Sequence, residues 1–142
     1  MKEHAAELLS QPLNEGAPAI SHDWEDWVGD LVKAGMAFSA YDDDNYLIGS
    51  GGMVPLWPGV CEAWLLASNR IHAMPVTAFR MTDRTIKRLM KDHALHRLQA
   101  AIHEDWKVAL RFSQALGFRE EGLMKNYGSD CANYLRVAKT NG

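Results

Sequence analysis

His96–Phe118, HRLQAAIHEDWKVALRFSQALGF, is the stretch whose reading decides the fold. Leu98, Ala100 and Ile102 alternate with Arg97, Gln99 and Ala101, which predicts a half-buried strand over Arg97–His103. Asp105 stands where its carboxylate can cap a helix by accepting from a free backbone N–H. At 3.6 residues per turn, Trp106, Val108, Ala109, Leu110, Phe112 and Leu116 share one broad face, and Lys107, Arg111 and Gln114 share the other. Gly117 is expected to stop the helix in a left-handed conformation that a side chain would strain. Phe118 then opens another strand.

Upstream of this stretch, Pro75 suits the first position of a helix that runs to about His93. Val76, Phe79, Ile86, Leu89 and Met90 form its inward stripe, and Arg80, Arg84, Lys87, Arg88 and Lys91 gather opposite. Ser68–Met74 is a loop. Val60–Ala67 is a strand dense enough in Trp64, Leu65 and Leu66 for a central position. Pro55–Gly59 reads as a turn. Before it, Met36–Tyr41 and Tyr46–Val54 form a hairpin around Asp42-Asp43-Asp44-Asn45. Gly49, Gly51 and Gly52 sit inside a strand pattern with no following Lys and helix, so they make no phosphate loop. They point instead to a bulge or close packing. Residues 1–10 read as a short helix and Gln11–Ser21 as a loop. A second helix runs from Ser21 or His22 to about Ala34, with Trp24, Trp27, Val28 and Leu31 as its stripe and Gly35 as its stop. Downstream, Arg119–Lys125 and Ala132–Lys139 read as two last strands joined around Gly128-Ser-Asp130.

One domain is the expectation for 142 residues, and 47% hydrophobic with 23% charged residues is a globular composition. No apolar run is long enough to span a membrane, and the N-terminus lacks an apolar signal segment. Cys61 and Cys131 give no metal-ligand spacing and read as reduced thiols of a cytoplasmic protein. The Asp42–Asp44 triplet lacks the spacing and the glutamate of an EF-hand loop. The net charge of −3 hides an asymmetry. Residues 1–62 carry two basic and eleven acidic side chains, and residues 63–142 carry thirteen basic and seven acidic. A basic second half suits a phosphate-rich ligand, and two solvated faces account for it equally well. No recognition module accompanies the basic helix, which argues against a nucleic-acid binder.

The helix closing on Ser113-Gln-Ala-Leu-Gly117-Phe118, with this order of elements around it, resembles the late core of the GNAT (GCN5-related) acyl-CoA N-acyltransferases, where the pattern is Tyr-x-x-x-Gly-Phe. The resemblance covers roughly residues 22–139. It departs at the start, because the family begins with a strand and this chain begins directly in a helical pattern, with that strand missing or very short. It implies an α/β (α+β) fold: a mixed, mostly antiparallel sheet with a splayed parallel strand pair and helices on both faces. It further implies an N-acetyltransferase using acetyl-CoA as co-substrate and an amine of a small molecule or protein as acceptor.

By that resemblance, backbone groups at Leu65, Leu66 and Ala67 receive the pantetheine arm, and one N–H there stabilises the charge that develops on the thioester oxygen. The pyrophosphate falls at the loop and helix start that follow, where free N–H groups and the helix dipole favour an anion. Arg70 and Ala73 keep half of the family's loop pattern. Its glycines are absent and Pro75 removes an N–H donor; Arg70, His72, Arg80 and Arg84 supply positive charge instead. Glu62 is the first candidate for the base, with His103 and Glu104 next. Ser113 stands where the family places a tyrosine as proton donor. A serine there, with the missing loop glycines and first strand, keeps a second function open: a GNAT-like protein without catalysis, serving binding or structure. The basic helix and the glycine-poor loop also look like a divergent group encoded by bacteriophages, some virion-associated. The expected partners are accordingly acetyl-CoA and an amine acceptor, a second copy in a homodimer, or virion proteins. The location is the cytoplasm, that of the host or a virion if phage-encoded.

Overall fold

The computed structural model describes residues 36–67 and 75–141. The helices expected over 1–10 and 21–34, the stop at Gly35 and the loop Ser68–Met74 lie outside the described residues. The described elements are β1 (Ala37–Tyr41), β2 (Leu47–Trp57), β3 (Val60–Ala67), α1 (Pro75–Asp92), β4 (Arg97–His103), α2 (Lys107–Ala115), β5 (Arg119–Met124) and β6 (Tyr134–Thr140). The six strands form one sheet in the order β1-β2-β3-β4-β6-β5. Only β3 and β4 run parallel among the pairings described; the pairs β1–β2, β4–β6 and β5–β6 are antiparallel. An 18-residue helix joins β3 to β4, the long crossover that a parallel pair needs. The chain divides into two compact units, residues 1–54 with 63–78 and residues 55–62 with 79–142.

In the first unit, β1 and β2 form the expected hairpin. Asp42 organises its turn: Oδ1 accepts from the N–H groups of Asp44 and Tyr46 at 3.0 and 2.9 Å. The carboxylate thus completes a turn, the ordinary work of such a residue at that place. The strand glycines serve close packing. A Cβ at Gly52 would stand 2.8 Å from the Met36 carbonyl and 2.9 Å from Trp64 Nε1. Ser39 and Ser50 share a hydrogen bond across the pair, 2.7 Å between hydroxyls.

In the second unit all seven residues of β4 pair with β6, from Arg97–Thr140 to His103–Tyr134. Leu98 is wholly buried and Val137 and Ala138 nearly so. Lys139, opposite Leu98, donates to the Leu116 carbonyl at 2.8 Å, which places the end of α2 on the Leu98 face. Phe79 of α1 and Phe112 of α2 meet edge to face, centroids 6.2 Å apart. Gly59 sets the register of the parallel pair. Its carbonyl accepts from His96 and Arg97 at 2.9 and 3.2 Å, immediately before Val60 and Arg97 pair. At φ +82°, with the His96 ring against its α-carbon, only glycine fits there.

Several local expectations need correction. Pro55–Gly59 is not all turn: β2 continues to Trp57 and only Pro58 and Gly59 turn. Proline's fixed φ is compatible with extended backbone, so Pro55 did not end the strand. Asp105 does not cap α2. Trp106 holds the N-cap position without a side-chain bond, and the Asp105 N–H donates to His103 Nδ1 at 3.1 Å. Val76 and Val108 were expected inward and are 60% and 56% exposed. Both lie about 100° around their helices from the centre of the buried stripe. Ala78, Leu89 and Met90 form that stripe in α1, Ser113 and Leu116 in α2. The stop at Gly117 is as expected, with φ +96°. Its N–H donates to the Gln114 carbonyl and the Phe118 N–H to the Ser113 carbonyl, each at 3.0 Å, the pair of bonds that defines a Schellman close.

Candidate active site

Residues opposite one another in a ladder project to the same face of a sheet. Glu62 opposes Gln99 on the β3–β4 side; Ala101 and His103 oppose Arg136 and Tyr134 on the β4–β6 side. These side chains therefore share one face, the one turned away from Leu98. The parallel ladder comprises Val60–Arg97, Cys61–Leu98 and Glu62–Gln99, and ends there although both strands continue.

Glu62 stands at that end with its side chain 24% exposed. Arg136 Nη1 donates to both of its oxygens, at 2.7 Å to Oε1 and 2.8 Å to Oε2. Gln99 Nε2 adds a bond to Oε2 at 2.8 Å. Arg136 is itself held: Nη2 lies 3.4 Å from Met124 Sδ, and the guanidinium sits 5.9 Å from the Tyr127 ring centroid. Beside this group Arg97 makes a two-armed bond with Glu121, one arm at 3.0 Å. The hydrogen bond from Arg97 holds the Glu121 carboxyl below its ordinary range, and the same bond raises the Arg97 guanidinium. That pair is well exposed and stabilises the fold by at most about 1 kcal/mol.

His103 ends β4. Its Nδ1 accepts from the Asp105 N–H, so in the neutral ring the proton resides on Nε2. Nε2 is thus a hydrogen-bond donor, able to orient a polar group. The ring packs on Tyr134 with centroids 5.4 Å apart, and Tyr127 meets Tyr134 at the same separation. Burial first, then Asp130 and Tyr127, push the Tyr134 phenol above its ordinary range, so it remains a protonated donor.

Of the residues expected at the site, Glu62 and His103 lie on this face. Ser113 is buried in α2 and its hydroxyl donates to the Leu110 carbonyl at 2.8 Å. Such back-bonding is how a serine inside a helix satisfies itself. Leu65, Leu66 and Ala67 form the C-terminal end of β3. Arg80 is exposed in α1. Arg70, His72 and Ala73 lie outside the described residues. Gln99, Arg136, Tyr127 and Tyr134 were missed from the sequence. The one signal for Arg136 was a charge in the middle of the strand pattern Tyr134-Leu-Arg-Val-Ala138. Cys61 projects to the Leu98 face and burial raises its thiol. No group of three His, Cys, Asp or Glu among the described residues is arranged to hold a metal.

No family model matches the chain, and no curated protein matches its sequence. Solved structures match it closely in shape. Ribosomal-protein-alanine N-acetyltransferase from Brucella melitensis aligns with a TM-score of 0.76 at 14% identity, covering 99% of this chain and 96% of that one. A variant of the spermidine N-acetyltransferase SpeG from Vibrio cholerae gives 0.76 at 14% identity, over 98% and 89% of the two chains. An acetyltransferase of the GNAT family from Bacillus anthracis gives 0.72 at 18% identity, over 94% and 84%. The fold is that of the GNAT acetyltransferases. The bacteriophage placement finds no support among these neighbours. No helix among the described residues is long and apolar enough to cross a membrane.

Proposed function

We propose that this chain is an N-acetyltransferase that moves the acetyl group of acetyl-CoA to an amine of a small molecule or protein. The observation that carries the reading is Glu62, a half-buried carboxylate at the point where the parallel ladder of a GNAT fold ends. The amine nitrogen attacks the thioester carbonyl, a C–N bond forms and the C–S bond breaks. The amine proton passes to Glu62, directly or through one water, and the CoA thiolate leaves and takes up a proton. His103 through Nε2 can donate a hydrogen bond to the leaving sulfur, whereas the Ser113 hydroxyl is engaged, and the proton itself comes from solvent. Backbone groups at Leu65, Leu66 and Ala67 receive the pantetheine arm and the carbonyl. Arg70, His72, Ala73 and Arg80 receive the pyrophosphate.

Calorimetry with acetyl-CoA, followed by a free-thiol assay over polyamines, amino-acid amides and peptides with free N-termini, tests the proposal. Heat on binding and CoA release with at least one amine are expected. No heat and no thermal protection at millimolar acetyl-CoA would overturn it, since a ligand that binds only the native state must raise its melting temperature. Binding without turnover would favour the second reading, a binding protein, for which the engaged Ser113 hydroxyl is the specific observation.

A further inference from the structure

A chain of hydrogen bonds crosses this face and ends on one particular atom of Glu62. Glu121 binds both arms of the Arg97 guanidinium, and Arg97 Nε donates to Gln99 Oε1 at 2.9 Å. That bond fixes the amide of Gln99. The flipped amide would set N–H against N–H at Arg97 and carbonyl against carboxylate at Glu62, both repulsive. Gln99 Nε2 is thereby aimed at Glu62 Oε2, where it arrives at 2.8 Å beside Arg136 Nη1, also at 2.8 Å. A carboxylate oxygen has about two acceptor sites. Oε2 has both filled, while Oε1 has one bond, from Arg136 at 2.7 Å, and one site open.

We infer that Gln99 and Arg97 are positioning residues that close Glu62 Oε2 and leave Oε1 as the atom that receives the acceptor amine's proton. Neither touches a reactant; both act through Glu62. This rests on the transferase reading above and adds to it the identity of the accepting atom and the residues that select it. A Glu62 freed from Gln99 would rotate about its last torsion and share the proton between two oxygens, of which one geometry is productive.

The test uses Gln99→Leu, Arg97→Lys and the double variant, with circular dichroism confirming that each folds. Arg97→Lys is the informative one, since a lysine can still pair with Glu121 but lacks the Nε donor that orients Gln99. Turnover should fall about 10-fold in Gln99→Leu and about 3- to 10-fold in Arg97→Lys. KM for acetyl-CoA should be unchanged and the double variant no worse than Gln99→Leu, because residues in one chain act non-additively. The Glu62 carboxyl carbon, followed by NMR, should shift in Arg97→Lys as it does in Gln99→Leu, although Arg97 does not contact it. An unmoved carboxyl signal in Arg97→Lys, or additive losses in the double variant, would overturn the inference. If the wild type acetylates no amine while the carboxyl signal responds as described, the transferase reading falls and the positioning chain stands.

Discussion

Replacing Gly117 with alanine isolates the cost of one backbone angle. The position has φ +96°, beyond the left-handed well near +57° that an L-residue can enter. Space is not the obstacle: a Cβ would meet Lys139 Nζ at 3.4 Å, Cε at 3.6 Å and Cδ at 3.8 Å, ordinary contacts with a flexible side chain. The whole penalty is therefore conformational, about 1 kcal/mol or somewhat more once the Gln114 and Ser113 carbonyls compete to keep their bonds. For a chain of this size that lowers the melting temperature by about 4 °C. Gly122→Ala is the control, because a Cβ there meets nothing within 4 Å and no left-handed φ is required. It should be neutral or stabilising by about 0.4–1 kcal/mol through the unfolded chain. Gly117→Asn should fall between them, since asparagine tolerates positive φ. Urea unfolding of the three variants measures all of this in one series. Gly117→Ala as stable as wild type, with Gly122→Ala also unchanged, would refute the argument that φ at Gly117 ends the helix.

Other outcomes follow from packing and charge. Gly52→Ala should destabilise by about 1–3 kcal/mol, because its Cβ would sit 2.8 Å from the Met36 carbonyl and 2.9 Å from the Trp64 ring; thermal melts would show it. Arg136→Ala should abolish most turnover and cost about 1–3 kcal/mol in urea, since it leaves the half-buried Glu62 with the Gln99 bond alone. The raised Tyr134 phenol contributes stability that is complete below the ordinary tyrosine value of about 10 and lost as pH rises through its folded value. Tyr134→Phe should remove one late-ionising phenolate from the ultraviolet titration and flatten the alkaline fall in melting temperature. Asp83, lowered chiefly by its hydrogen bond from Lys87, has the opposite sign, its contribution lost as pH falls through the folded value. Because Asp83 pairs with an exposed Lys87 one turn along α1, an ion pair of small net worth, Asp83→Asn should leave the acid limb of the melting curve nearly unchanged.

The sequence by itself determined the elements wherever local forces set them. Period-two alternation marked β4 as Arg97–His103 and a dense apolar run marked β3 as Val60–Ala67, and both hold residue for residue. Proline at the first helical position and glycine after the last placed the ends of α1 and α2 to within a residue or two, because a fixed φ and a positive φ are properties of single residues. The rotation of each helix was less secure. A face drawn broad enough to admit Val76 and Val108 cannot say which edge of the stripe meets the sheet, and that is settled by the neighbour rather than by the helix. Asp105 also departs from its local preference: α2 starts one residue later, at a Trp106 N-cap without a side-chain bond, and the Asp105 N–H donates to the His103 ring. The site was the least readable part. Glu62 was identifiable as a carboxylate on a central strand, but its partners Gln99 and Arg136 lie 37 and 74 residues along the chain. They reach it only because a parallel ladder and an antiparallel one set adjacent strands in a fixed register. Periodicity assigns a side chain to a face, but register decides which side chains on that face touch. Register comes from long-range pairing and from single carbonyls such as that of Gly59, so only the tertiary structure could supply the geometry around Glu62.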